Sequence, residues 1–123
     1  MRILNEVFYL RAEAEKDFPP LDLFERANEI IILIDMPGVD PEEILIKIYK
    51  DEFMIEGVKK NEPSQPGAVY LCMEREFKGF RRKIHLPSEV EPDRATARYQ
   101  NGVIIVRLPK KEDRVHKIKI IKE

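Results

Sequence analysis

Tryptophan is absent from this chain, and cysteine occurs once, at Cys72. A single thiol closes no intrachain disulfide and builds no cysteine-rich metal centre, so packing must hold the fold, and a reducing compartment suits it. Cys72 has no base beside it in sequence and reads as a partly buried small apolar residue. Histidine is also scarce: His85 and His116 are too few and too far apart for a metal cluster. The five glycines, at 38, 57, 67, 79 and 102, stand singly, and none precedes Lys-Ser or Lys-Thr, which removes the phosphate-cradling loop and argues against ATP use. No charge of one sign prevails. Lys and Arg number 22 against 23 Asp and Glu, a net −1, so the basic excess expected of a nucleic-acid binder is missing. Long hydrophobic runs are missing too. Residues 1–10 carry one arginine and are interrupted by Asn5 and Glu6, which fits neither a signal peptide nor a membrane span and makes the cytoplasm the expected address.

What remains is a chain of 123 residues with 43% apolar and 37% charged side chains, enough hydrocarbon for one core and enough charge to keep it in solution. Residues 1–18 place Ile3, Val7, Leu10 and Ala14 at helical spacing with Leu4 and Phe8 beside them, which predicts a short amphipathic helix. Pro19-Pro20 stops it, because proline lacks an amide hydrogen and disfavours the helical conformation in the residue before it. The boundary between an arm, residues 1–19, and a domain, residues 20–109, is placed there, with residues 110–123 as a tail.

From Leu21 onward the runs are strand-length, β-branched and closed by turn residues, the pattern of an all-β, immunoglobulin-like sandwich. Strands are expected over residues 21–25, 30–36, 44–49, 53–58, 80–86, 95–100 and 103–108. The apolar run at 30–36 should be central, and Ile44, Ile46 and Ile48 share one face at period two. Lys50-Asp51-Glu52 is a hairpin-length link. Asn101-Gly102 tolerates the positive φ angles of a type I′ turn and gives the strongest local signal. Residues 59–69 are polar and proline-bearing and read as a long loop.

Taken in order, these elements resemble the α-crystallin domain of the small heat-shock protein family. The motifs are Pro20-Leu21-Asp22-Leu23-Phe24-Glu25, Asp35-Met36-Pro37-Gly38-Val39, Glu42-Glu43-Ile44, Glu74-Arg75, Phe80, Arg82, Leu86-Pro87, Ala97-x-x-x-Asn101-Gly102-Val103-Ile104, and a closing Ile118-Lys119-Ile120. The family usually has glycine where this chain has Lys78, so the turn ahead of Phe80 is expected to be built differently, around Gly79. The resemblance implies a chaperone that holds non-native client proteins without ATP and without cofactors, assembled as a homo-oligomer of dimers, with no nucleic acid or membrane as partner.

It also implies particular surfaces. Apolar arm residues Ile3, Leu4, Val7 and Phe8 would engage clients, as would a groove lined by Ile46, Ile48, Ala95 and Ala97. Ile118 and Ile120 lie two apart and point the same way in an extended tail, so they would plug such a groove on another subunit, or else close a strand in their own core. Part of the long loop, residues 71–75 with Leu71, Met73 and Arg75, would pair with the opening strand of a partner, with Leu21, Leu23 and Phe24, or else remain an unstructured surface loop. Arg75 and Arg82 would hold carboxylates across the dimer seam, or be solvated charges. A different class, an adaptor of the related CS-type sandwich that binds a folded partner, generally lacks both the exchanged loop and the Ile-x-Ile tail. Glu42, Glu43, Glu74 and Glu76 read as solvation, not as an acid–base pair, so no enzyme activity is expected.

Overall fold

Alternation is the rule that builds this fold. In a computed structural model that describes residues 18–60, 65–75, 77–112 and 118–123, seven strands follow one another. They are β1 (Leu21–Glu25), β2 (Glu29–Asp35), β3 (Ile44–Tyr49), β4 (Glu52–Val58), β5 (Gly79–His85), β6 (Thr96–Gln100) and β7 (Val103–Pro109). They form two antiparallel sheets, one in the order β1-β2-β7-β6 and the other β3-β4-β5. The architecture is the all-β sandwich expected from the sequence.

Each sheet turns one face inward. Ile30, Ile32 and Ile34 of β2 meet Ile104, Val106 and Leu108 of β7 in register, and across the interior they pack with Phe53 and Ile55 of β4 and Phe80 and Ile84 of β5. Full burial of such side chains is worth about 1.5–3 kcal/mol each, so this shared layer is what joins the two sheets.

The turns follow local chemistry. Asn101 and Gly102 have φ of 53° and 76°, and Gln100 pairs with Val103 around them, as a two-residue type I′ hairpin requires. A side chain at position 102 would also meet Pro37 at 3.3 Å, while the Met36 amide donates to the Gly102 carbonyl at 2.8 Å. The β3–β4 link is shorter than expected. Tyr49 pairs with Glu52, leaving Lys50-Asp51 as the loop, with Lys50 itself at φ 56°. Ahead of Phe80, Gly79 already belongs to the ladder opposite Val58, and the Lys59 amide donates to the Lys78 carbonyl at 2.9 Å. The long excursion between β4 and β5 therefore leaves and returns at neighbouring points.

Two further contacts orient the sheets. Phe18 meets Phe80 edge-on, with ring centroids 5.7 Å apart, and Arg82 donates from Nη1 to the Pro19 carbonyl at 2.8 Å. Both tie β5 to the chain leading into β1, so β1 and β5 share one margin of the sandwich. The free edges of β3 and β6 consequently share the other.

After β7 the backbone is strapped down before the tail begins. The Lys110 amide donates to the Asn28 carbonyl, the Lys111 amide to the Glu89 carbonyl, and Lys110 Nζ lies 3.0 Å from Glu25.

Candidate functional site

The β3/β6 margin is where the fold leaves apolar surface half covered. On β3 the inward row Ile44, Ile46 and Ile48 is half-buried and alternates with exposed Leu45, Lys47 and Tyr49. On β6 the inward row continues from Ala95 through Ala97 to Tyr99, since Ala97 pairs with Val106 and Tyr99 with Ile104, both core residues. Ile46, Ile48, Ala95 and Tyr99 touch the core from the side, whereas Ala97 is exposed. Among the described residues neither strand has a hydrogen-bonded neighbour beyond it.

Tyr99 was not singled out from the sequence, yet it closes this row. Its hydroxyl donates to the Met36 carbonyl at 2.8 Å, which holds the end of β6 against the turn after β2. The signal was available: Tyr99 follows Ala95 and Ala97 at period two.

Ile118 and Ile120 are 87% and 91% exposed and belong to no strand, so the alternative in which they complete their own core is set aside. Ile121 beside them is exposed as well.

Within this one chain, residues 71–75 form no strand. Leu71 is 95% exposed, Met73 is exposed, and Arg75 is exposed with its guanidinium stacked 5.0 Å from the Phe77 ring centre. Cys72 is exposed too, contrary to the expectation of partial burial, with its thiol 3.5 Å from Glu74 Oε1. It sits on the outside of an excursion whose described residues stay out of the core. Of the opening strand, Leu21 and Leu23 face the core half-buried, while Phe24 faces outward. Among the described residues the outer edge of β1 is unpaired.

Of the two readings offered for Arg82, burial decides against one. It is only 7% exposed, so the solvated-charge alternative fails; β5 alternates with Phe80, Arg82 and Ile84 inward and Arg81, Lys83 and His85 outward. Its guanidinium reaches the Pro19 carbonyl of its own chain. At the root of the long loop, Lys60 donates to the Glu43 carboxylate, which holds the Lys60 ammonium above the ordinary lysine pKa. Ile3, Leu4, Val7, Phe8, Glu76 and His116 lie outside the described residues. Among the described residues no three His, Cys, Asp or Glu side chains converge as a metal site would need, and no helix is long and apolar enough to cross a membrane.

Comparison with known proteins places this architecture. Residues 22–122 match the model of the Hsp20/alpha crystallin family. Small heat shock protein C4 of Rickettsia felis is 33% identical over 83% of this chain and 63% of its own length. The chain thus spans a little under two thirds of that relative. Among solved structures, heat shock protein 16.0 from Schizosaccharomyces pombe superposes with a TM-score of 0.71 at 30% identity, over 85% of this chain and 97% of the other. A small heat-shock protein from Xylella fastidiosa gives 0.71 at 28% identity, over 85% and 96%. The chain belongs to the Hsp20/alpha crystallin family.

Proposed function

We propose that this protein is an ATP-independent holdase, which binds partially unfolded proteins through exposed apolar surface and slows their aggregation. The observation that carries the reading is the coexistence, in one chain, of a half-covered apolar margin between β3 and β6 and an exposed Ile118–Ile120 pair suited to cover it. Membership of the family supports a chaperone role. The particular arrangement is our own inference: an arm over residues 1–19, a sandwich over 20–109 and a tail over 110–123, acting in the cytoplasm.

The same apolar groove serves two occupants in this scheme. Ile118 and Ile120 from a second subunit fill it in the resting assembly, and client segments compete for it when proteins unfold. Burying two isoleucines contributes about 3–6 kcal/mol before the cost of ordering the tail is subtracted, which leaves a contact that exchanges readily. Dimers form when residues 71–75 of one subunit add to the unpaired edge of β1 in another, where main-chain hydrogen bonds supply affinity and Leu71 and Met73 supply apolar contact.

The test combines native mass with heat-induced turbidity of a test protein at equimolar chain, without ATP. Removing residues 118–123 should shrink the assembly and leave the sandwich folded. Unchanged particle mass on that truncation removes the tail from assembly, and no suppression of turbidity by the parent chain removes the holdase reading.

A further inference from the structure

The outward face of the four-stranded sheet carries a pattern that neither edge pairing nor the tail explains. One cross-strand row reads Asp22, Leu33, Ile105 and Arg98, from β1 through β2 and β7 to β6. Acid thus stands at one margin, two apolar side chains at the centre and base at the other. The next row is Phe24, Ile31, Arg107 and Thr96, and there Ile31 is only 2% exposed although it points away from the core. Phe24 flanks it on one side, and on the other Arg107 holds Glu29 at 2.9 Å. Leu33, Ile105 and Val103 remain half-exposed along the two middle strands. Unlike Arg107, Arg98 has no ion-pair partner among the described residues, and neither has Asp22.

A single row with opposite charges at its two ends and hydrocarbon between them is complementary to itself when turned over. For two copies stacked face to face, a twofold axis running along the strands lays β1 of one copy over β6 of the other. Asp22 then faces Arg98 twice, and Leu33 faces Ile105 twice. A twofold axis across the strands would instead lay β1 over β1 and set like charges opposite each other. The charges therefore select one arrangement, and stacked sheets about 10 Å apart with strands within about 30° of one another accommodate it.

From this we infer that the outer face of the β1-β2-β7-β6 sheet is a second self-association surface, whose occupant is the same face of another copy of this chain. It is separate from the β1 edge and the β3/β6 groove, so it does not depend on the tail reading. Four strands of five to seven residues cover roughly 15 Å by 20 Å, well below the roughly 800 Å² per partner of a stable interface. The contact is weak alone and gains strength only between subunits already joined elsewhere, through effective concentration.

Charge reversal tests it in the full-length chain. Asp22→Arg alone and Arg98→Asp alone each turn two attractive pairs into repulsive ones. Each should raise the concentration at which the assembly dissociates by about tenfold or more, followed by sedimentation equilibrium. The double variant restores both pairs with the signs exchanged and should return to the parent value. Both side chains are exposed, and circular dichroism of each variant checks that the sandwich is intact. A double variant no better than the singles, or singles that match the parent, overturns the proposal. So does unchanged mass combined with weakened suppression of client aggregation, which would make the face a client surface. As an independent measurement, Asp22→Cys with Arg98→Cys in a Cys72→Ser background should be joined between chains by a short bismaleimide; recovery of single chains only counts against the stacked arrangement.

Discussion

Replacing Gly57 by alanine tests whether the close approach of β3, β4 and β5 sets the packing of the three-stranded sheet. Gly57 sits between Ile44 and Phe80 in the ladder, and its φ is not in the left-handed region, so an added methyl meets no backbone strain. It meets atoms instead: the Glu43 carbonyl oxygen and Phe80 Cζ at 3.0 Å, and Ile44 Cα at 3.4 Å. Relief requires either that the start of β3 move away or that Phe80 leave its edge contact with Phe18. Overpacking of this kind costs about 1–3 kcal/mol, offset by about 0.4–1 kcal/mol because alanine restricts the unfolded chain more than glycine does. The net expectation is destabilisation by about 1–2 kcal/mol, or a fall of about 4–8 °C in the melting midpoint. Gly79→Ala on the neighbouring strand is the control, since the nearest atom there is the Gly57 carbonyl oxygen at 3.8 Å. With no tryptophan to report, far-ultraviolet circular dichroism follows unfolding, at one fixed chain concentration because assembly shifts the midpoint. A Gly57→Ala midpoint equal to or above that of Gly79→Ala would refute the argument.

Two other predictions concern charge. Arg82→Ala removes the buried guanidinium that donates to Pro19 and should cost about 2–3 kcal/mol in denaturant unfolding, whereas Arg81→Ala on the outward face should cost well under half as much; equal losses would sink the distinction. For Lys60, Glu43 makes the folded-state pKa higher than that of the unfolded chain, so the pair's stabilisation is complete below about pH 10.5 and fades as pH rises through the folded value. Stability curves of the parent and of Lys60→Gln should therefore run parallel from neutrality to about pH 9 and converge in stronger alkali, and a divergence near neutrality would contradict this sign.

Where a residue's neighbours in space are also its neighbours at period two, the sequence was readable. Ile44, Ile46 and Ile48 marked β3 to the residue, and Asn101-Gly102 marked the β6–β7 turn because few other dipeptides accept two positive φ angles. Lys50 at φ 56° carried no such mark, so the β3–β4 loop was read one residue too long. Arg82 was left open for a different reason. The alternation of Phe80, Arg82 and Ile84 points inward, but the Pro19 carbonyl that receives its guanidinium lies 63 positions away. Of the candidate site, the β3 row, Ala95 and the exposed tail pair could be named in advance. Tyr99 continues the Ala95–Ala97 row at period two, so its place on that face was legible; its bond to the Met36 carbonyl was not, because it joins residues 63 positions apart. The outward row from Asp22 to Arg98 needed the register of three strand pairs before its symmetry could be seen.

The strap that pins Lys110 to Asn28 and Lys111 to Glu89 gives the tail a fixed root. Six residues lie between Lys111 and Ile118, and the seven residue steps, at no more than about 3.6 Å each, span at most about 25 Å. If the tail plugs a neighbour's groove as proposed, that groove must open inside a sphere of that radius around the foot of β7, and subunits spaced more widely are out of range whatever their affinity. The leash is a ruler: adding or removing residues between 112 and 117 changes which geometries of neighbour can be joined, without touching any side chain that makes the join.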